Sequence, residues 1–307
     1  MRPSLLFDLP TVAGVTDLAD QIRLSPSLVY ACAFMPKYRK VQIPKRSGGT
    51  REILCPSHEL KIIQRWILRR ILQNIPIDEH ATAYAPGRKL REHVMPHQHN
   101  AYFMCVDLSE FFPSVPEAKV AELFASLGYR GRGLGLLTAL CTHDACLPQG
   151  APTSPTIANI VCKRMDRRIV GYVERRGIRY TRYADDMLFS ARDPELLSAA
   201  LPMIRKIIAD EGFRENRKKF RRFGPKKRQP VTGLVQGSKG FGIGRKREHR
   251  LRALLFSARR GSSPGLAPKV SGWLAYVKAV DEERHTRLAR YNQIVTLRQT
   301  SIRRQTP

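Results

Sequence analysis

The sequence predicts an α+β protein, and three observations support that prediction. Apolar residues make up 42 % of the 307-residue chain, enough to bury a core across one large or two modest domains. Several segments repeat their apolar residues at the spacing of an amphipathic helix, and others are short apolar runs rich in strand-forming residues. A chain of this size that carries both kinds of segment is expected to pack helices against a sheet.

The first predicted elements are a basic hairpin and a helix. Between Arg39 and Leu54, the strand-like segments KVQI and REIL flank the turn-rich KRSGGT. From Glu59 to Asn74, apolar residues recur at helical spacing with arginines between them, and Pro76 marks the end of that helix.

The middle of the chain predicts one buried strand followed by two helices. The run YFMCVDL over Tyr102–Leu108 is typical of a strand, and Asp107 near its end is costly to bury without a partner. Helical periodicity follows over Glu117–Gly128 and Thr156–Tyr172. Between them, three prolines and a glycine in LPQGAPTSP, residues 147–155, indicate an irregular backbone.

A second hairpin and a helical C-terminal part complete the prediction. Ile178–Ala191 is typical of two strands with Asp185 and Asp186 at the bend, and a helix is predicted over Leu196–Glu211. After the glycine-rich GFGIG, the chain is basic and helical in pattern, which favours a separate C-terminal domain. The positions expected to be buried there are Leu251, Leu254, Leu255, Trp273, Tyr276, Val277, Leu288 and Tyr291.

The charge balance indicates an anionic partner. Lys and Arg number 54 against 26 Asp and Glu, a formal net charge of +28. Nine basic residues lie between Arg214 and Arg228, and they form either a solvated face or a phosphate-contacting surface. No stretch approaches the roughly 18 apolar residues of a membrane span, and the N-terminus lacks a signal-peptide pattern. We therefore expect a cytoplasmic protein with no membrane partner.

The cysteine and histidine pattern does not favour a metal site. Six cysteines without a CxxC pair indicate reduced thiols. Cys141, His143 and Cys146 could supply soft ligands, but structural zinc takes four and no fourth lies nearby. The histidine-rich segment 93–99 is interpreted as a polar patch before a strand.

Three carboxylates carry the candidate chemistry. If the strand ending in Asp107 and the hairpin bearing Asp185 and Asp186 are neighbours in one sheet, the three acids converge. Carboxylates that share a partly buried site repel one another, and hard divalent cations relieve that repulsion. Two Mg²⁺ ions about 3.5–4 Å apart can stabilise the attacking and leaving oxygens of a phosphoryl transfer. The alternative is structural: two turn-forming acids and an N-cap.

Five segments, in order, resemble the reverse transcriptase family. They are IPKRSGGTREI (43–53), VDLSEFFPSV (106–115), LPQGAPTSP (147–155), YADD (183–186) and GFRENRKKF (212–220). The resemblance implies a right-hand polymerase with a split β-α-β palm sheet and a helical thumb. The implied boundaries are fingers 1–82 and 115–148, which include an N-terminal helical segment, palm 83–114 and 149–236, and thumb 237–307.

The resemblance also implies the catalytic and metal-binding residues. Asp107 and Asp185 look like the first and second metal-binding aspartates of a two-Mg²⁺ site, and Asp186 like the supporting third acid. Phe112 falls where the family has an aromatic residue that packs against the sugar and excludes ribonucleotides. The alternative for Phe112 is a core position beside Phe111.

Four further residues resemble nucleotide contacts of the family. Gln149 resembles a residue that lines the deoxynucleotide pocket, and Lys45 and Arg51 resemble contacts to the triphosphate. Lys40 competes with Lys45 for this assignment. Lys219 falls where the family has a lysine near the pyrophosphate leaving group.

Two features resemble the retron branch of the family. VTGLV, residues 231–235, resembles the retron VTG signature, and HVMPH, residues 93–97, aligns with the NAxxH element but keeps only the final histidine. Together with the basic thumb, the resemblance implies an RNA-binding set. Its members are His97, Val231, Thr232, Gly233, Arg245, Lys246 and Arg247.

The resemblance implies an RNA-directed DNA polymerase that acts on its own structured noncoding RNA. Retron enzymes start DNA from the 2′ hydroxyl of a guanosine and leave a branched RNA-DNA hybrid (msDNA), and the family implies an effector or toxin protein as partner in bacterial anti-phage defence. One alternative is a group II intron or diversity-generating reverse transcriptase. Another is a non-catalytic RNA-binding scaffold that holds an effector.

Overall fold

The computed structural model describes residues 8–45, 48–226, 230–237, 240–259 and 266–292. In chain order the helices are α1 (Val15–Ile22), α2 (Pro26–Phe34), α3 (His58–Arg70), α4 (Leu90–Val94), α5 (Glu117–Ser126), α6 (Gly131–Cys141), α7 (Ser154–Val161), α8 (Lys163–Val173), α9 (Pro194–Asp210), α10 (Arg245–Arg259) and α11 (Leu266–Val280). The strands are β1 (Tyr38–Pro44), β2 (Thr50–Pro56), β3 (Tyr102–Asp107), β4 (Arg179–Tyr183), β5 (Asp186–Ala191), β6 (Arg221–Phe223), β7 (Val235–Gly237) and β8 (Gly240–Gly242). Residues 282–292 are also helical.

A four-stranded antiparallel sheet with the order β4-β5-β3-β6 positions the acidic residues. β5 lies between β3 and β4, which are joined by helices α5 to α8, and this is the split β-α-β arrangement. The prediction that the Asp107 strand neighbours the acidic hairpin is confirmed. The mixed helix and sheet content also agrees with the predicted α+β class.

The two faces of this sheet pack against different clusters. Met104 and Val106 of β3 face a large core formed with most of the helices, whereas Phe103 and Cys105 face a second cluster. This division follows from the alternation of side chains along a strand. The second cluster includes α10, α11 and residues 282–292, so the C-terminal helices pack directly on the sheet. Of the positions predicted to be buried there, Leu251, Leu255, Val277 and Leu288 are buried, and Leu254, Trp273, Tyr276 and Tyr291 are partly buried in the same cluster.

The basic hairpin is confirmed as the antiparallel pair β1 and β2. The helix predicted over Glu59–Asn74 ends at Arg70 and continues as a short 3₁₀ turn, Leu72–Asn74. The helix predicted over Thr156–Tyr172 is two helices, α7 and α8, separated at Cys162. Helix α6 was not predicted, because its glycine-rich start obscures the pattern. Among the described residues, no helix is long and apolar enough to cross a membrane.

Candidate active site

The acidic residues gather where β3 ends and β5 begins. Asp107 is the last residue of β3 and lies directly opposite Asp186, the first residue of β5. The backbone N–H of Leu108 donates to the carbonyl oxygen of Asp185 at 3.0 Å. Ala184 forms the turn with φ at +57°, a conformation that directs the chain sharply from β4 into β5. Sheet pairing therefore brings the end of β3, with Asp107, to the turn that carries the adjacent residues Asp185 and Asp186.

The electrostatics of these acids are set by burial and by Lys219. Asp107 is 4 % exposed, its Oδ2 lies 2.9 Å from Lys219 Nζ, and its Oδ1 is buried without a hydrogen-bond partner. Burial raises the pKa of Asp107, Lys219 opposes that rise, and the charge of Asp185 adds to it. Burial, followed by the charges of Asp185 and Asp107, raises the pKa of Asp186 to about 6. A crowded carboxylate set with an unpartnered buried oxygen fits a hard divalent cation.

The geometry differs from the predicted arrangement in one respect. Within the described part of the chain, no three His, Cys, Asp or Glu side chains are grouped so that they could hold a metal ion as they stand. Consecutive residues at the start of a strand project in different directions, so Asp186 faces Asp107 across the sheet while Asp185 belongs to the turn. Lys219 also takes one carboxylate oxygen of Asp107.

Lys219 reaches Asp107 because the GFRENRKKF segment runs beside the end of β3. The N–H of Asn216 donates to the carbonyl oxygen of Asp107 at 2.7 Å, and the N–H of Ser109 donates to that of Arg214 at 2.8 Å. Glu215 accepts two hydrogen bonds from Arg205, at 2.7 and 3.0 Å. These contacts fix the segment against the sheet.

A buried network that sequence reasoning missed supports the acidic turn. Arg182 and Asp166 are both fully buried and form two hydrogen bonds, from Nε to Oδ1 at 2.9 Å and from Nη2 to Oδ2 at 2.7 Å. Arg182 Nη1 donates to the carbonyl oxygen of Ala184 and to Asn159 Oδ1, both at 3.1 Å. One feature of the sequence could have indicated this network: Arg182 is a charged residue in the predicted strand that leads directly into YADD.

The LPQGAPTSP loop is attached to β2 of the basic hairpin. The N–H of Leu54 donates to the carbonyl oxygen of Gln149 at 2.8 Å. At Gly150, φ is +136° and an added Cβ would lie 2.5 Å from Leu54 O, so only glycine fits. Gln149 is therefore held beside the hairpin that carries Arg51 and Lys45, both exposed. Lys40, the rival of Lys45, lies 3.4 Å from Glu52 within the hairpin.

Phe112 lies in a group of aromatic rings near the acids. Its ring centroid lies 5.3 Å from that of Phe111 and 6.4 Å from that of Tyr84. Phe111 is buried and Phe112 partly buried. Burial raises the pKa of Tyr84, the charges of Tyr183 and Asp185 raise it further, and the charge of Arg51 lowers it. The Tyr84 ring therefore lies near Phe112, and its phenol is influenced by the charges of Asp185 and Arg51. No sequence motif pointed to Tyr84.

Two members of the predicted RNA-binding set lie in the protein interior. His97 is fully buried, and its ring bonds with Ser190 Oγ at 2.7 Å and with Thr181 Oγ1 at 2.9 Å. Val231 is buried in the second cluster. Their side chains do not face solvent in this structure, so direct RNA contact by them is not supported. His93 is buried as well, so two of the three histidines in the segment interpreted as a polar patch before a strand lie in the interior, and only His99 is exposed.

Three of the remaining members, Thr232, Gly233 and Arg247, line a cleft that also contains Asp186. Thr232 and Gly233 form a tight turn with φ values of +45° and +87°. Arg247 Nη1 donates to the carbonyl oxygen of Gly233 at 2.6 Å, whereas Arg245 and Lys246 are exposed at the start of α10. The cleft has a volume of about 820 Å³. Its lining includes Asp186, Arg221, Thr232, Arg247, Trp273 and Tyr276.

Comparison with known proteins shows which family the sequence matches. The chain matches the family model of reverse transcriptases (RNA-dependent DNA polymerases) over residues 43–235. Telomerase from Candida albicans aligns at a TM-score of 0.47 and 13 % identity, over 83 % of this chain and 55 % of that one.

Two curated retron proteins are similar over most of the chain. Retron Ec86 reverse transcriptase from Escherichia coli is 35 % identical over 92 % of this chain and 89 % of its own length. Retron Mx65 reverse transcriptase from Myxococcus xanthus is 35 % identical over 82 % of this chain and 64 % of its own. The chain therefore belongs to the reverse transcriptase family, within its retron branch, and is an RNA-directed DNA polymerase.

Proposed function

We propose that this enzyme copies its own structured noncoding RNA into a branched RNA-DNA hybrid (msDNA) and serves anti-phage defence. The observation that carries the catalytic part is the meeting of Asp107, Asp185 and Asp186 where β3 and β5 pair. The similarity to several retron enzymes supports the msDNA product. An effector or toxin protein as a further partner, and the bacterial cytoplasm as location, belong to the same proposal.

The proposed domains follow a right hand. The β1-β2 hairpin and α5 belong to the proposed fingers, residues 1–82 and 115–148. The four-stranded sheet belongs to the proposed palm, residues 83–114 and 149–236. Helices α10 and α11 belong to the proposed thumb, residues 237–307. The split β-α-β order supports the palm assignment, because it places the acids at one end of the two central strands of the sheet, β3 and β5.

The acids would hold two Mg²⁺ ions, with Asp107 and Asp185 as the main ligands and Asp186 as support. The unpartnered buried Oδ1 of Asp107 and the raised pKa of Asp186 support this assignment. When bound, the ions lower the pKa of the attacking hydroxyl and neutralise charge on the leaving pyrophosphate. Arg182 holds the turn that carries Asp185 through the carbonyl oxygen of Ala184.

The nucleotide would lie between the hairpin and the acids. Arg51 and Lys45 offer cations to the triphosphate, and a guanidinium suits phosphate oxygens through paired hydrogen bonds. Gln149 lines the pocket from the loop attached to β2. Phe112 excludes a 2′ hydroxyl by occupying its space. Lys219, already beside Asp107, supplies positive charge close to the leaving pyrophosphate.

The RNA would lie on the basic C-terminal surface. Arg245, Lys246 and Arg247 provide phosphate contacts, which supply affinity and register. Thr232 and Gly233 present a tight turn to the cleft that also contains Asp186. Trp273 and Tyr276 in the same cleft offer faces on which a base can stack. His97 acts indirectly in this proposal, because its ring ties β4 to β5.

Replacement of the acidic doublet tests the catalytic proposal. Asp185→Asn with Asp186→Asn should abolish DNA synthesis on an RNA template and leave RNA affinity largely unchanged. Asp20→Asn, an exposed position at the end of α1, serves as the matched control and should retain synthesis. DNA made by the doubly substituted protein would overturn the proposal.

Sequencing of nucleic acid that copurifies with the enzyme tests the product. A covalently branched RNA-DNA species supports the msDNA proposal. Recovery of only linear complementary DNA would exclude it while leaving the polymerase assignment in place.

A further inference from the structure

Tyr84 combines an unfavourable backbone conformation with an exposed ring. Its φ is +58°, in the left-handed region that side chains with a Cβ seldom occupy. Its side chain is 52 % exposed, so burial of the ring contributes little to offset this conformation. Residues held in such conformations cluster at functional sites, where the surrounding structure enforces them.

The residues before Tyr84 are fixed to the sheet and to α7. The N–H of Thr82 donates to the carbonyl oxygen of Arg182, and the N–H of Arg182 donates to that of His80, both at 2.8 Å. Asn159 Nδ2 donates to the carbonyl oxygen of Ala83 at 2.7 Å. Asn159 is in turn bonded to Arg182 Nη1. One buried guanidinium therefore anchors both the acidic turn and the residue that precedes Tyr84.

The Tyr84 ring lies among three groups of the proposed nucleotide site. Its centroid is 6.4 Å from that of Phe112, with an angle of 51° between the ring planes. The charges of Asp185 and Arg51 both act on its phenol. We therefore expect a nucleotide bound between Arg51 and Asp185, with its sugar against Phe112, to lie close to this ring.

We propose that Tyr84 is a positioning residue for Phe112 and thereby helps the enzyme to reject ribonucleotides. The Tyr84 ring limits the movement of the Phe112 ring, so that Phe112 stays where a 2′ hydroxyl would collide with it. The fixed backbone of residues 82–84 keeps the supporting ring in place. This inference rests on the proposed role of Phe112 as the sugar-excluding residue.

The test is the ratio of kcat/KM for a deoxynucleotide to kcat/KM for the matching ribonucleotide on an RNA template. Tyr84→Ala should lower this ratio by about 3- to 10-fold, the scale of one aromatic contact, because kcat/KM for the ribonucleotide rises relative to kcat/KM for the deoxynucleotide. Tyr84→Phe keeps the ring and should keep the ratio. Tyr30→Ala removes an equally exposed ring on α2, at 53 %, and should change nothing.

A double-mutant cycle tests the role of Tyr84 separately from the proposed sugar-excluding role of Phe112. Phe112→Ala should lower the ratio further than Tyr84→Ala, and the double variant should match Phe112→Ala alone. An unchanged ratio in Phe112→Ala would overturn the sugar-excluding role itself.

If Phe112→Ala lowers the ratio but a folded Tyr84→Ala does not, only the Tyr84 inference fails. Additive effects, or equal losses for both nucleotides, would also overturn it. Thermal unfolding of each variant establishes that it is folded.

Discussion

Arg182 and Asp166 form a fully buried ion pair beneath the turn that carries the acidic doublet. Two hydrogen bonds join them, and the hydroxyl of Tyr180 donates to Asp166 Oδ1 at 2.7 Å. The remaining guanidinium nitrogen bonds with Ala184 and Asn159. Desolvating both charges is costly, and good geometry with further hydrogen bonds offsets that cost. Removal of one partner therefore leaves a buried charge without compensation.

We expect Arg182→Met to lower the free energy of unfolding by about 3–5 kcal/mol, the usual cost of breaking a buried pair. Urea unfolding at pH 7 measures this change. Lys206→Met disrupts an exposed pair with Asp210 on α9 and should leave the unfolding midpoint unchanged. Arg182→Lys keeps the charge but loses the bridging hydrogen bonds. Its free energy of unfolding should therefore lie between those of Arg182→Met and the parent protein. A loss for Arg182→Met below about 1 kcal/mol would contradict this account of the pair.

Gly150→Ala should detach the LPQGAPTSP loop from β2. The added Cβ would collide with Leu54 O, and the φ of +136° is unfavourable for alanine. The free energy of unfolding should therefore fall by about 2 kcal/mol or more. Because Gln149 adjoins this contact, KM for the deoxynucleotide should rise as well. Gly171→Ala on α8 is the control, since nothing lies within 4 Å of its added Cβ and it should be neutral or stabilising. Unchanged stability and KM in Gly150→Ala would show that the loop adapts.

Acid should destabilise the protein through two buried histidines. Burial lowers the pKa of His93 from 6.5 to about 3, and burial with the charges of His93 and Arg179 lowers that of His97. The folded state then binds fewer protons than the unfolded state below pH 6.5, so stability present at neutral pH is lost on acidification. Each histidine should cost about 2 kcal/mol between pH 7 and pH 5.

The difference between variant and parent isolates this effect from other titrating groups, among them Asp186, whose raised pKa acts in the opposite direction. His97→Gln should unfold with a shallower loss of stability between pH 7 and pH 5 than the parent protein. His99→Gln, at an exposed position, should show the parent's pH dependence. Parallel pH profiles for His97→Gln and the parent would refute the assignment.

Salt dependence should identify the phosphate contacts at the start of α10. Arg245→Gln with Lys246→Gln removes two exposed charges, so the slope of log affinity against log salt should become shallower by about 0.7–0.9 per lost contact. Binding of the structured RNA at several salt concentrations gives that slope. Arg175→Gln with Arg176→Gln, beyond the end of α8, is the control pair. Identical slopes for the two double variants would remove Arg245 and Lys246 from the interface.

Sequence patterns over a few residues predicted the secondary-structure elements that depend mainly on neighbouring residues. Alternation and turn residues predicted both hairpins, and the apolar run predicted β3 with Asp107 at its end. The same patterns could not show that α7 and α8 separate at Cys162, because apolar residues continue through that position. They also could not show that His97 is buried, since its burial depends on Thr181 and Ser190, 84 and 93 residues further along the chain.

The residues that support the site could not be predicted either, because their contacts also join segments that are distant in the sequence. Asn159 reaches the carbonyl oxygen of Ala83 across 76 residues, and Lys219 reaches Asp107 across 112. Motif resemblance supplied Lys219 but not Asn159, Arg182 or Tyr84. The missing information is the packing of distant segments, which a sequence pattern with short periods does not encode.

The central place of β3 has a consequence for biosynthesis. Both of its hydrogen-bonding neighbours, β5 and β6, are translated later, the first of them 79 residues after Asp107. At about 5–20 residues per second, the ribosome leaves this apolar strand without a native neighbour for roughly 4–16 s. An apolar strand without its native partners can pair with other segments or other chains. We therefore expect the yield of active enzyme to rise with chaperone capacity during translation.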